Sequence, residues 1–384
     1  MYFNINTIFV KNTLKYHLSF IVSGRLNHII CYPLSIIYGA VTKLRNWMFD
    51  GSIILKSRMY DMPIICVGNL SAGGTGKTPH TELILDLLQD KFQVAMLSRG
   101  YKRESKGFVL ADSTSDSRSL GDEPFQIYCK FPRVRVAVDE KRVNGIDQLL
   151  ELFPQLDVVV LDDAFQHRYV HPGLSILLTD YNSLYYNDKL LPLGRLREHP
   201  KGAIRANIII VTKCPIDINP MEKRLVVTGI KPDNHQLLLF SYYKYLPIKP
   251  LYPSFVSDAW TYERIQQEHA SVMIIAGIVS PKPIEEHISK YTKLVFTTFF
   301  EDHHDFKNKD FDHFLRRFNS IFSRNKLILV TEKDAARIIS NPNYPEALKA
   351  HTYMMPIKVE FLNDETDIFN QKILHYVNQN TRNS

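Results

Sequence analysis

The sequence predicts an α/β protein: a mostly parallel sheet with helices on both faces, a smaller second α/β lobe, and an N-terminal membrane-surface helix region. Three observations lead there. From Asp61 to Thr228, apolar runs that read as buried strands alternate with stretches of helical spacing, the order of a sheet covered on both faces. One strand–loop–helix junction, Val67 to Pro79 (V-G-N-L-S-A-G-G-T-G-K-T-P), carries a phosphate-binding loop in the context such a loop requires. After a proline-rich connector at Pro247 to Pro253, strands and helices resume as a second unit.

Composition sets the frame. The chain has 384 residues, 45% hydrophobic and 23% charged, enough for one large or two medium domains. Its four cysteines are scattered, with no C-x-x-C, which points to reduced thiols and no zinc site. Charge is uneven. Through Arg58 there are seven basic residues and one acid, Asp50, so this segment carries +6 of the chain's +7. Basic residues there alternate with apolar runs, which favours an anionic membrane surface over nucleic acid. The run Ile29 to Val41 is too short to cross a bilayer as a helix, and no signal-peptide cleavage pattern follows. The expected division is residues 1–58 as a membrane-docking segment, 59–230 as the phosphate-loop domain, and 231–384 as the smaller domain.

The strands come in order. Pro63 to Val67 precedes the loop, and Leu83, Leu87 and Leu88 mark the helix after it. Gln93 to Leu97 follows, ending at Ser98-Arg99-Gly100-Tyr101. Val134, Val136 and Val138 alternate in another strand; Asp157 to Leu161 ends at Asp162-Asp163; Leu174 to Thr179 and Asn207 to Thr212 are two more. In the second unit the expected strands are Val272 to Ala276, Leu294 to Phe300, Leu327 to Thr331 and Tyr353 to Phe361.

The chemistry begins at the loop. Ser71, Ala72, Gly73, Gly74, Thr75 and Gly76 form a turn whose backbone N–H groups can face phosphate oxygens, reinforced by the following helix N-terminus. Lys77 reaches the β- and γ-phosphates and the Thr78 hydroxyl meets Mg²⁺. The strict pattern has Gly where Ser71 stands. A hydrophobic run ending in Asp162-Asp163 is the partner signature, a carboxylate for Mg²⁺ beside the loop. Together these make the fold P-loop NTPase-like. Arg99, Arg195 and Arg197 are candidate phosphate clamps or surface ion pairs. Asp122 and His303 are candidates for taking the acceptor's proton. Guanine reading by an N/T-K-x-D turn is not matched: Pro215 holds the Asp position after Thr212-Lys213, and in Thr331-Glu332-Lys333-Asp334 the Asp comes one place early.

Beyond single motifs, an ordered set is present: Tyr32-Pro33-Leu34-Ser35, Leu44-Arg45-Asn46, the phosphate loop, Ser98-Arg99-Gly100-Tyr101, Gly121-Asp122-Glu123-Pro124, Leu161-Asp162-Asp163 with Phe165-Gln166-His167, Gly194-Arg195-Leu196-Arg197-Glu198, Asp302-His303-His304, and Thr331-Glu332-Lys333-Asp334-Ala335. With this set the chain resembles the tetraacyldisaccharide 4'-kinase (lipid A 4'-kinase) family over about Tyr32 to Ala336. The resemblance implies ATP- and Mg²⁺-dependent phosphorylation of the 4'-hydroxyl of an acylated disaccharide 1-phosphate glycolipid, giving a lipid IVA-type product. It implies a peripheral or monotopic enzyme on the cytoplasmic face of the inner membrane; separately, neither nucleic acid nor an obligate protein partner is expected. Carried over by motif, Asp122 is the general base and His303 its partner, with Lys77, Thr78 and Asp162 or Asp163 serving nucleotide and metal. Ser71 fits the family pattern; Ala164 and Lys102 stand where the family usually has Gly. The competing expectation is a nucleotide-switch GTPase or metallochaperone-type protein.

Overall fold

The computed structural model describes residues 31–51, 54–278, 282–301, 304 and 306–381. Its strands are β1 (Ile64–Asn69), β2 (Val94–Ser98), β3 (Val109–Leu110), β4 (Arg135–Val138), β5 (Val158–Asp162), β6 (Leu174–Asp180), β7 (Ile208–Thr212), β8 (Leu237–Tyr245), β9 (Lys249–Pro250), β10 (Ser271–Ala276), β11 (Val295–Phe299), β12 (Lys326–Thr331), β13 (Thr352–Met355) and β14 (Ile357–Phe361). The helices are α1 (31–50), α2 (Lys77–Leu88), α3 (Ser117–Leu120), α4 (Asp122–Lys130), α5 (Arg142–Leu152), α6 (Pro220–Ile230), α7 (Tyr262–Gln267), α8 (Lys282–Ile288), α9 (Asn308–Asn319), α10 (Glu332–Ile339), α11 (Glu346–Lys349) and α12 (Thr366–Asn380).

Nine strands form the first sheet in the order β14-β8-β7-β6-β1-β5-β2-β4-β3. It is parallel from β8 to β4, with antiparallel β14 and β3 at the edges. Alternation decides which face each residue meets. Ile65 and Val67 pack under α2, α4 and α12 through Ile84, Leu85, Ile127, Phe369 and Ile373. Ile64 and Cys66 face the opposite layer, where α5 and α6 supply Ile146, Leu149, Val226 and Ile230. The second sheet, β11-β10-β12-β13-β9, is covered likewise. Phe311, Phe314 and Phe318 of α9 pack on one face, and Ile265, Ile284 and Ile288 of α7 and α8 on the other.

Two expected boundaries move. β8 lies in the first sheet, so sheet membership changes after Tyr245 rather than at residue 231. The expected single strand Tyr353 to Phe361 is two strands in two sheets. Pro356 separates them, lacking the N–H that a continuous ladder needs; its carbonyl accepts from Leu246 N–H at 2.9 Å, and β14 crosses back to pair with β8. The first and last described strands, β1 and β14, therefore belong to one sheet. The four cysteines are free, as expected.

Helix α1 inverts the usual pattern. Four of its polar side chains face the protein: Ser35 donates to Leu190 O (2.9 Å), Tyr38 to Arg197 O (2.7 Å), Arg45 to Gln166 O (2.9 Å) and Asn46 to Glu198 Oε2 (2.9 Å). Ile36, Ile37, Val41, Leu44 and Trp47 recur at helical spacing and are each 57–60% exposed. No helix among the described residues is long and apolar enough to cross a membrane.

Candidate active site

β1 is the central strand, and the phosphate loop runs from its carboxyl end into α2, the position where open parallel sheets place ligands. Gly76 caps α2 at φ 88°, with no side-chain hydrogen bond and no acid in the first turn. A side chain at Gly76 would strike the Tyr243 hydroxyl of β8, so the loop rests on the neighbouring strands. Asn69 Nδ2 donates to Thr75 Oγ1 (2.7 Å), and Thr212 Oγ1 donates to Thr75 O (2.8 Å). Lys213 Nζ donates to Gly74 O and to Asp180. Buried His80 bridges Gly76 O (2.7 Å) and Ser241 Oγ (2.9 Å). The carbonyl can only accept, so Nδ1 carries the proton and Nε2 accepts from the serine. Burial pushes the His80 pKa down to about 4, keeping the ring neutral.

The loop at 188–198 closes one side. Ala72 N–H donates to Arg195 O (2.6 Å), Arg197 N–H donates to Leu70 O (2.7 Å), and Ser71 bridges Leu196. Arg195 therefore meets the phosphate loop through its backbone; its exposed side chain pairs with Asp188 at 3.2 Å. Arg197 reaches inward to Asp163 at 2.8 Å. Arg99 is exposed at the end of β2.

The two adjacent aspartates stand in opposite environments. Asp162 is 1% exposed. Its Oδ1 accepts from Thr81 Oγ1 at 3.1 Å, and its buried Oδ2 has no partner among the described residues. Burial, helped by the charges of Glu123 and Asp163, pushes its pKa up to about 7. Burial also works to raise Asp163, but Lys77 at 3.7 Å and Arg197 outweigh it and hold that carboxyl below the usual range. Asp163 sits at φ 46°, a left-handed conformation that turns it away from the direction of β5.

Asp122 starts α4 after Gly121, which is held at φ 91° against Gly100 and Tyr101. Its Oδ2 accepts from Nε (2.9 Å) and Nη2 (2.7 Å) of Arg337, on α10 of the second lobe. His303 lies outside the described residues. Its neighbour His304 stacks on Phe300 and pairs with Asp310 at the start of α9 (3.0 Å), so that histidine serves the fold. Sequence reasoning passed over Arg337, whose i,i+3 spacing from Asp334 signals only a local pair. It also gave no separate part to Glu198, which is 3% exposed and gathers Asn46, Gln166 and Arg205 beneath the site.

A family model described as tetraacyldisaccharide-1-P 4'-kinase matches residues 27–378. A tetraacyldisaccharide 4'-kinase of Bacteroides thetaiotaomicron is 48% identical over 362 residues, covering 93% of this chain and 95% of the relative. That of Flavobacterium johnsoniae is 42% identical over 357 residues, covering 91% and 97%. Among solved structures, LpxK from Aquifex aeolicus in complex with ATP is similar with a TM-score of 0.66 and 26% identity, covering 90% of this chain and 98% of that one.

Proposed function

The chain belongs to the tetraacyldisaccharide-1-P 4'-kinase family, and from that premise we propose how its residues carry out the reaction. The activity is ATP-dependent phosphorylation of the 4'-hydroxyl of a tetraacyldisaccharide 1-phosphate, a step of lipid A biosynthesis. The acceptor oxygen forms a bond to the γ-phosphorus while the bond to the β,γ-bridging oxygen breaks, and that electron pair leaves with ADP. Asp122 takes the hydroxyl proton, with His303 as its partner by motif. The residues from Ser71 to Thr78 hold the phosphates, and Lys77 neutralises charge that grows on them in the transition state.

Mg²⁺ fits the donor set. The orphaned, buried Asp162 Oδ2 and the Thr78 hydroxyl are hard oxygen ligands of the kind this ion takes. Bound there, it would supply neutralisation of the phosphate charge that develops during transfer. Asp163, engaged by Lys77 and Arg197, orients those two cations instead. Arg195 braces the loop through its carbonyl.

The acceptor is a membrane lipid, so the enzyme works at a bilayer surface. The outward apolar face of α1 is the docking element. Burying each large side chain contributes about 1.5–3 kcal/mol, and each nearby basic residue about 1 kcal/mol against anionic lipid. This supports peripheral attachment at the cytoplasmic face of the inner membrane, where ATP is available.

The observation that carries the reading is an uncapped helix N-terminus beside two carboxylates, Asp162 with a buried oxygen that has no partner among the described residues and Asp163 paired with Lys77 and Arg197. The test is transfer from γ-labelled ATP to purified disaccharide 1-phosphate lipid in detergent micelles. Label in the lipid is expected, lost with Lys77→Ala and with Asp122→Ala. Transfer that survives Lys77→Ala would remove the phosphate-loop assignment.

A further inference from the structure

The seam between the two lobes is ionic, and the proposed base lies on it. Helix α4 of the first lobe faces α10 of the second. Asp122 pairs with Arg337, Glu123 with Lys333 at 3.3 Å, and Lys130 with Glu332 at 2.8 Å; Lys130 also holds Glu82 of α2 at 2.6 Å. The members of these pairs are 7–36% exposed, and pairs that water reaches contribute little singly. The Arg337 pair differs in geometry: its 7% exposed guanidinium gives two donors to one carboxylate oxygen.

Arg337 is held on two edges. Nε and Nη2 converge on Asp122 Oδ2, while Nη1 donates to Asp334 Oδ1 at 3.0 Å. Asp334 is completely buried. Its other oxygen accepts from Gly277 N–H (2.9 Å) and from the Thr331 hydroxyl (2.7 Å). One rigid fork thus connects the core of the second lobe to the first residue of α4. Lysine, a single point charge, cannot satisfy both carboxylates in that geometry.

We propose that Arg337 is a positioning residue for the reaction: it fixes the Asp122 carboxylate from the opposite lobe, so the base is in place only when α4 and α10 are clamped together. This rests on Asp122 being the proton acceptor. The arrangement has a chemical cost and a gain. A cation in contact keeps the carboxylate ionised but weakens it as a base; in exchange its orientation is set before the acceptor arrives. On the two helices Arg337 contacts Asp122, and Asp334 and the pairs Glu123–Lys333 and Lys130–Glu332 line the same seam.

The experiment measures kcat and KM of the full chain in detergent micelles for Arg337→Met, Arg337→Lys, Asp122→Asn and the double variant Arg337→Met/Asp122→Asn. The acid limb of kcat is followed for every active protein. Arg337→Met is expected to lower kcat about 100-fold, with KM for ATP within about twofold. Its acid limb should move to higher pH, because losing a neighbouring cation raises a carboxylate's pKa. The double variant should be no slower than Asp122→Asn alone. An Arg337→Met enzyme with near-normal kcat, or an unmoved acid limb, overturns the proposal, as do losses that multiply in the double variant. If Arg337→Met does not fold, Arg337→Lys keeps a charge opposite Asp334 and gives the same readouts, with a loss of about tenfold. Wild-type turnover in Asp122→Asn would sink the base assignment itself. A dead Asp122→Asn beside a normal Arg337→Met sinks only the positioning role.

Discussion

Two strand-to-helix junctions, one in each lobe, are finished in two ways. At β12–α10, Thr331 caps the helix by accepting from Asp334 N–H, and Glu332 and Asp334 fill the first turn with negative charge. The positive end of α10 is answered from within the chain. At β1–α2 the cap is Gly76, with no side-chain bond and no acid in the first turn. Those orphan N–H groups await an anion from outside. What separates the catalytic lobe from its partner is therefore less the topology than which helix start is left unanswered.

That contrast can be broken at both ends. The largest effect belongs to Lys77→Ala, which should lower kcat by roughly 10³-fold or more in the lipid phosphorylation assay; a comparable loss from a substitution at Thr331 would erase the distinction. Next, ATP at about 100 times its Kd should raise stability by about 2.7 kcal/mol, read as an upward shift in Tm. The shift should vanish in Lys77→Ala and persist in Thr331→Ala.

Asp162 gives a pH signature. Its carboxyl is raised from 3.8 to about 7 in the folded protein, so the folded state holds more protons than the unfolded chain across that window. Stability without metal then falls as pH rises from about 4 to about 7. Asp162→Asn keeps an acceptor for Thr81 and should flatten that slope. It should stabilise the metal-free protein by about 2 kcal/mol above neutral pH while abolishing turnover. A Tm profile that keeps its slope in this variant would contradict the raised pKa. Thr331→Ala removes both the α10 cap and a hydrogen bond to buried Asp334, and is expected to cost about 1–2 kcal/mol in chemical unfolding, with KM for ATP unchanged.

Legibility followed locality. The phosphate loop, the double aspartate and the strands around them could be read because each is a short run with its own physical requirement, such as the left-handed turn at Gly76 or the apolar stretch before Asp162. What could not be read was nonlocal. Nothing near residue 337 announces that its guanidinium meets residue 122. The run Tyr353 to Phe361 looks continuous by β propensity, and Pro356 is its only interruption. In α1 the apolar residues were visible. That four of its polar residues would turn inward depended on partners 121 to 159 positions away.

The return of β14 and α12 to the first sheet has a consequence for how the protein is made. The Tyr376 hydroxyl accepts from the N–H of Ile64 and donates to its carbonyl, a contact spanning 312 positions, and Phe369, Ile373 and Val377 seal the layer that backs α2. A ribosome adding roughly 5–20 residues per second needs about 15–60 s to travel from one to the other. β1 gains both its strand neighbours before that interval ends, but throughout it the layer over one of its faces lacks α12. A chain cut short within α12 loses Phe369, Ile373 and Val377 from that layer and is expected to melt at a lower Tm than the full chain.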